Sequence, residues 1–153
     1  YIQLSNGKRV RFKAYIDRVD FVKKHLRIVD YKTGRDKVEL PNIDELFDSK
    51  ALYGYGAIFQ ILLYSKLYQI ANPDNHDAIQ PLIYKVSDAF STLVPSIKIG
   101  TEQLTEYNIV KDEFENKLNE CLEELFDEKI DFEQTQILEQ CTYCNFKSIC
   151  KRS

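Results

Sequence analysis

Several features are missing from this chain of 153 residues, and each absence removes a class of protein. No run approaches about 20 consecutive apolar residues, the length that a membrane-spanning helix needs. No N-terminal segment resembles a secretory signal. Internal repeats and low-complexity linkers are also absent, which favours one domain over residues 1–153. We therefore expect a single domain with a cytoplasmic location.

Methionine and histidine are scarce. There is no methionine, and the chain opens on Tyr1 inside a predicted strand, so we expect an excerpt of a longer protein. The two histidines are His25, at the tip of a predicted hairpin, and His76, in a polar loop. Both positions predict solvated side chains, so neither histidine is a candidate for a functional role.

Two segments rich in β-branched and aromatic residues, 8–21 and 25–32, predict strands of an antiparallel hairpin. If the loop holds two residues, or four centred on the same point, paired positions sum to 47. Asp17 then lies opposite Asp30, and Lys32 lies on the same face because side chains alternate along a strand. A three-residue loop would put the two aspartates on opposite faces. The sequence does not decide between these loops, because Lys-Lys is not a preferred two-residue turn.

In the first register the aspartates share a face with apolar residues, which we expect to be buried. That apolar set is Tyr15, Val19, Phe21, Leu26 and Ile28. Facing carboxylates repel each other, and buried charges need compensation. Lys32 supplies one positive charge, and a divalent metal would supply the rest; oxygen ligands suit Mg²⁺ or Mn²⁺. The alternative is ordinary, since most Asp and Lys residues on strands are solvated surface residues.

The charge of the chain is unevenly distributed although the net charge is only −3. Residues 1–37 carry eleven Lys and Arg against four Asp, a net +7, while the remainder carries a net −10. A basic zone beside candidate metal ligands suits a phosphodiester substrate. The alternative is that lysines at strand edges prevent aggregation.

Further along the chain, residues 57–71 predict a helix that carries Gln60 and Tyr64 on one face, one turn apart. This pair could serve a site or could simply hydrogen-bond at the rim of the core. Strands are predicted over 79–88 and 93–99, and a long helix over 101–127 with Thr101 as its N-cap.

Three of the four cysteines lie near the C-terminus, at Cys141, Cys144 and Cys150. The C-x₂-C spacing and the shortness of the segment favour a metal clip, either a cluster or zinc. A disulfide is less expected in the reducing cytosol. Cys121 falls in the apolar stripe of the long helix, where a small core residue is the expectation.

Four motifs, in order, resemble the RecB-like branch of the PD-(D/E)xK nucleases. They are Ile-Asp-Arg-Val-Asp at 16–20, Val-Asp-Tyr-Lys-Thr-Gly at 29–34, Gln-x₃-Tyr at 60–64, and the cysteine motif at 141–150. The branch includes the nuclease domains of RecB and AddB helicase-nucleases and RecB-like CRISPR-associated exonucleases. The resemblance implies an α/β fold: a restriction-endonuclease-like core with a mixed sheet flanked by helices, and a Cys-rich tail.

The resemblance also implies a metal-dependent DNA nuclease, expected to be an exonuclease of DNA repair or recombination and attached to a helicase. Its implied catalytic residues are Asp17, Asp30, Lys32, Gln60 and Tyr64. The metal, Mg²⁺ or Mn²⁺, would be held by Asp17, Asp30 and the carbonyl of Tyr31. Expected DNA contacts are Arg18, Arg35, Gln60 and Tyr64. The three C-terminal cysteines would belong to a [4Fe–4S] cluster in the longer protein.

Two departures from the family pattern leave other functions open. Similar proteins supply a His or Glu from a helix upstream of the first strand, and a cysteine upstream of the first motif; neither is present here. Arg18 is also expected on the face opposite Asp17, beside Asp20, where an ion pair could occupy it. The alternatives are an inactive RecB-like domain that binds DNA or braces a helicase, and an interaction module built on the cysteines.

Overall fold

The fold was examined in a computed structural model that describes residues 1–48, 54–88 and 96–152. In chain order the described elements are β1 (Ile2–Gln3), β2 (Arg9–Val10), β3 (Arg18–Val22), β4 (His25–Lys32), β5 (Glu39–Leu40), α1 (Gly56–Ala71), β6 (Ala78–Lys85), β7 (Lys98–Ile99), β8 (Glu102–Gln103) and α2 (Lys111–Leu125). Short 3₁₀ turns cover Ile43–Leu46, Val86–Asp88, Tyr107–Ile109 and Leu138–Cys141.

The sheet that positions the candidate site has the strand order β3-β4-β6. β3 and β4 are antiparallel, and Arg18 pairs with Val29, so paired positions sum to 47 as the two-residue loop requires. Lys23 opens that loop in the left-handed region, with φ +59°. β4 and β6 run parallel. The expected α/β fold with a mixed sheet is therefore confirmed.

The core lies between this sheet and α1. Leu26 and Ile28 on β4 are buried together with Ile58, Ile61 and Leu62 on α1. Burying such side chains contributes about 1.5–3 kcal/mol each, so packing of this face holds β4 in the centre of the sheet. α2 adds a second layer, with Phe114, Leu118 and Leu122 in the same cluster.

The apolar face of the hairpin was expected to be buried, and this expectation was wrong for Tyr15, Val19 and Phe21. Val19 and Phe21 on β3 are 42% and 57% exposed, and Tyr15 is 71% exposed. β3 is an outer strand of its sheet, and α1 packs mainly on β4 and β6. Side chains of β3 therefore extend beyond the cover that α1 provides.

Two predicted elements also differ from the structure. The strand over 8–21 is interrupted, because regular pairing is found only at Arg9–Val10 and Arg18–Val22. The helix predicted from Thr101 begins at Lys111 instead, since Glu102–Gln103 turns back through Gly100 (φ +61°) and pairs with Lys98–Ile99. Residues 93–95 of the predicted strand 93–99 lie outside the described residues.

A polar contact inside the second layer joins the two helices. The Lys66 ammonium lies 2.6 Å from Glu115 Oε2, and the hydroxyl of the fully buried Tyr107 donates to Glu115 Oε1 at 3.0 Å. Burial, together with the neighbouring Glu115 carboxylate, raises the pKa of Tyr107. Lys66 is thus a paired structural cation.

Within the described ranges, no helix is long and apolar enough to cross a membrane.

Candidate active site

The confirmed register brings Asp17 and Asp30 to neighbouring strands. Asp17 directly precedes β3, and its Oδ2 accepts a hydrogen bond from the backbone N–H of Tyr31 at 2.9 Å. This bond ties Asp17 to the strand that carries Asp30. Asp17 is exposed, whereas Asp30 is only 3% exposed. The pair therefore combines an open carboxylate with a buried one.

The buried Asp30 carboxylate is compensated by Lys32, two residues further along the same face of β4. Lys32 Nζ lies 2.8 Å from Asp30 Oδ2. Although this distance makes an ion pair, Oδ2 receives no hydrogen bond of regular geometry from any residue that the structure describes. An ionised oxygen in this position keeps capacity for a further cationic partner.

Gln60 and Tyr64 on α1 continue the contacts made by Lys32. The Lys32 ammonium donates to Gln60 Oε1 at 2.7 Å, and Gln60 Nε2 donates to the Tyr64 hydroxyl at 2.5 Å. We call these four residues, Asp30, Lys32, Gln60 and Tyr64, the polar chain. α1 places the last two one turn apart because they are four residues apart. The structure thus shows both the hydrogen bond within the pair and a contact with Lys32; a functional role of the pair stays a prediction.

The polar chain fixes the position of the Lys32 ammonium. It is held between a carboxylate oxygen and an amide oxygen, and its side chain is 22% exposed. The ammonium cannot move away from this position without breaking two short contacts. It is suited to contact an anionic group that approaches from solvent.

The donor set fits a hard divalent cation. Asp17 offers an exposed carboxylate, and Asp30 offers a buried one whose Oδ2, although paired with Lys32, accepts no regular hydrogen bond from the described residues. In the described part of the chain, no group of three His, Cys, Asp or Glu residues converges. Mg²⁺ accepts such a site, because it is commonly bound by one or two carboxylates and keeps water and substrate oxygens. A role for the Tyr31 carbonyl stays a prediction.

The opposite face of the hairpin holds a separate ion-pair group. Arg27 donates to both oxygens of Asp20, at 2.6 and 2.7 Å, and Arg18 also pairs with Asp20. The Arg27 hydrogen bonds lower the pKa of Asp20, and the two Arg charges add to this effect. Asp20 is the ladder partner of Arg27. The contact could therefore have been predicted from the register in which paired positions sum to 47.

Arg18 and Arg35 were expected to contact DNA. The Arg18 guanidinium instead donates to the Tyr31 hydroxyl at 3.3 Å and pairs with Asp20; these contacts raise the pKa of Arg18, with the Tyr31 bond the larger cause. The structure therefore gives Arg18 the ion pair that its position predicted. Arg35 is exposed just beyond Gly34. Contact of either residue with DNA stays a prediction.

The C-terminal cysteines lie in a series of turns, and all are free thiols. The N–H of Cys144 donates to the Cys141 carbonyl at 3.1 Å, and the N–H of Phe146 donates to Cys144 Sγ at 3.4 Å. Over the described ranges, Cys141, Cys144 and Cys150 do not form a metal-binding group with one another. A cluster stays a prediction for a longer protein.

Cys121 is exposed on α2, so its placement in the core was wrong.

Comparison with known families matches residues 2–151 to the model of the PD-(D/E)XK nuclease superfamily. Comparisons with curated proteins and with solved structures give no match. The matched range includes both aspartates, Lys32, the Gln-Tyr pair and the cysteine segment. Since the match spans nearly the whole sequence, the chain belongs to the PD-(D/E)XK nuclease superfamily.

Proposed function

We propose that this chain is a Mg²⁺- or Mn²⁺-dependent deoxyribonuclease domain of the RecB-like branch, exonucleolytic and linked to a helicase in DNA repair or recombination. The observation that carries the proposal is the polar chain. It links the Asp30 carboxylate, through Lys32, to a Gln-Tyr pair on α1. All the implied catalytic residues other than Asp17 are therefore in one continuous set of contacts, and Asp17 is tied to the same strand.

In the proposed mechanism, Asp17 and Asp30 would hold the divalent ion. When bound, such an ion polarises a phosphoryl oxygen and lowers the pKa of a bound water. Lys32 contacts the phosphate and stabilises the negative charge that develops there. Asp30 and Gln60 hold the ammonium in place, so little reorganisation is needed when the charge forms.

The role of Gln60 is positioning through its amide. Its oxygen accepts from Lys32, while its NH₂ group donates to Tyr64. The Lys32 ammonium can only donate, so it selects the amide orientation that presents oxygen to it, and the Tyr64 hydroxyl accepts from the NH₂ group on the other side. A reversed amide would place two donors against each other, so the pair keeps Lys32 aimed at the substrate.

Three further observations support the finer parts of the proposal. The basic N-terminal zone, a net +7 over residues 1–37, suits a polyanion. The C-terminal cysteine motif resembles that of the iron–sulfur members of the branch. The link to a helicase rests on the resemblance to the nuclease domains of helicase-nucleases.

An inactive domain is the second candidate function. The observation that favours it is the small donor set, because among the described residues no third His, Cys, Asp or Glu joins the two aspartates, where other family members add a His or Glu. Such a domain would bind DNA or brace a helicase without hydrolysing the backbone. Cleavage assays separate the two candidates.

The test is to replace Lys32 by alanine. We expect Lys32→Ala to reduce Mg²⁺-dependent cleavage of linear DNA by at least about 100-fold, the scale reached when a preorganised charge partner is removed. Lys98→Ala is the matched control, because Lys98 is an exposed lysine paired with Glu39 in another sheet. Equal cleavage by the wild type and Lys32→Ala would remove the catalytic assignment, and no cleavage by the wild type would favour the inactive domain.

A further inference from the structure

The segment that leads from β2 to Asp17 has a regular pattern of exposure. From residue 11 to residue 17, exposed and half-buried positions alternate one by one. Phe12 and Ile16, at half-buried positions, pack against the core. The exposed positions are Arg11, Lys13, Tyr15 and Asp17. We call these four residues the outward row; it ends at a proposed metal ligand.

The two cations of the outward row make no ion pair with the residues that the structure describes, although the Lys13 ammonium lies over the Tyr15 ring. Neither Arg11 nor Lys13 forms an ion pair with a residue in the described ranges. Neighbouring cations do pair, as Arg27 does with Asp20. Adjacent unpaired cations on an exposed segment attract phosphate groups.

Tyr15 gives the row an aromatic surface. Its side chain is 71% exposed, and Lys13 Nζ lies 4.9 Å from the centre of its ring. Lys13 lies over one face of the ring, so a base would stack on the other face. Proteins that bind unpaired strands combine such features, with bases stacked on aromatic rings and phosphates held by Lys and Arg. Inside a duplex the faces of the bases are already stacked on each other, so only the outer faces of the two terminal base pairs would be open to this ring.

We infer that the outward row is a track for one unpaired strand of nucleic acid, with a base stacked on Tyr15 and phosphates on Arg11 and Lys13. The inference rests on the proposed function, because the track delivers the strand to Asp17. It adds the substrate class: the strand reaches the site single-stranded, and Tyr15 is the residue that recognises the unpaired state.

The first experiment measures binding without cleavage. A short labelled oligothymidine and a labelled blunt duplex are titrated with the chain in the presence of a chelator, and fluorescence anisotropy is recorded. We expect Tyr15→Ala to weaken binding of the oligothymidine about tenfold. Tyr15→Phe keeps the ring and should stay within about twofold of the wild type, as should duplex binding by either variant. Tyr143→Ala is the matched control, since Tyr143 is an exposed tyrosine in the C-terminal segment.

The second experiment tests the phosphate contacts through salt. For a single strand, each neutralised phosphate contributes about 0.7 to the slope of log affinity against log salt concentration. Lys13→Ala and Arg11→Ala should each lower that slope by about 0.7. Lys129→Ala removes the same charge from an exposed site after α2 and should leave the slope unchanged.

Three results would overturn the track. They are oligothymidine binding by Tyr15→Ala equal to the wild type, an equal loss of single-strand and duplex binding, or a loss in Tyr15→Phe as large as in Tyr15→Ala. These outcomes are separate from failure of the proposed function, which is decided by the cleavage of Lys32→Ala. If the chain cleaves no DNA but its binding of the oligothymidine depends on Tyr15, the track is supported and the nuclease activity is contradicted.

Discussion

Asp30 and Lys32 show how one buried acid organises the residues around it. A carboxylate that is 3% exposed would be costly alone, and Lys32 compensates it at 2.8 Å. The ammonium then requires its own acceptors, and Gln60 Oε1 supplies one at 2.7 Å. The order of the contacts therefore follows from burial of the first charge.

Gln60 can be tested separately from Lys32. Gln60→Leu removes the acceptor but leaves the ammonium, so Lys32 keeps its charge and loses one of its two anchors. We expect kcat for DNA cleavage to fall about 10- to 100-fold with little change in KM, because the contact holds a group that acts in the transition state. The measurement is steady-state cleavage over a range of DNA concentrations.

The control for this prediction lies on the same helix. Gln69→Leu removes another amide of α1, one that contacts Asn108 at 3.5 Å instead of the site, and it should keep the wild-type kcat. A Gln60→Leu variant with unchanged kcat would show that the amide only fills the rim of the core.

At the scale of elements, the β3–β4 hairpin is stabilised on its outer face by Asp20. The Arg27 and Arg18 contacts hold the pKa of this carboxyl below its ordinary value of 3.8. A group with a depressed folded-state pKa stabilises the fold above its unfolded-state pKa, and that contribution disappears as pH falls through the folded-state value. The hairpin should therefore lose this support only in acid.

The variant Asp20→Asn tests whether this stabilisation is lost on acidification. The free energy of unfolding of the wild type should exceed that of Asp20→Asn at about pH 7, and the difference should shrink below about pH 3.8, as the carboxyl becomes protonated. Urea unfolding of both proteins across this range is the measurement. A difference that grows on acidification would contradict the assignment of the ion pair.

The helical layer is held by an aromatic cluster around Phe114. This fully buried ring lies 5.7 Å from Phe59 and 5.9 Å from Phe47, measured between ring centroids. Phe114→Ala should lower the free energy of unfolding by about 3–5 kcal/mol, because it leaves a cavity between α1 and α2.

Denaturant unfolding measures this loss, and Phe132 provides the control. Its ring is 85% exposed, so Phe132→Ala should change the free energy of unfolding by less than about 0.5 kcal/mol. If the two variants lost equal stability, the packing of α2 described above would be wrong.

The same elements show what the sequence could predict. One of the two β3–β4 registers that the sequence allowed, the one with a two-residue loop, is the register found, with Arg18 opposite Val29. α1 was predicted because its pattern is long and ends at Asn72-Pro73. These features depend on local spacing alone.

Other elements depended on tertiary contacts and were missed. Whether Val19 and Phe21 are buried depends on where α1 stops covering the sheet, and no local pattern encodes that. The turn at Gly100 pairs two short strands in place of the predicted helical start. Whether this segment starts a helix or forms a short strand is decided by its contacts with the rest of the fold.

Across the whole molecule, charge and chemistry are divided between the two ends of the chain. The N-terminal 37 residues carry the positive excess and both proposed metal ligands, and the acidic remainder includes α2. A nuclease needs attraction for DNA only where the backbone meets the site, so this division suits the proposed function. The family match covers residues 2–151, a range that includes the polar chain.

The most direct test of the account is a calorimetric titration with Mn²⁺. The wild-type chain should bind the ion, and Asp30→Asn should bind it at least about tenfold more weakly because half of the carboxylate pair is lost. Glu39→Gln, which removes an exposed carboxylate paired with Lys98, should bind like the wild type. Mn²⁺ binding that is absent from the wild type, or equal in the wild type and Asp30→Asn, would contradict the claim that these two aspartates form a metal site.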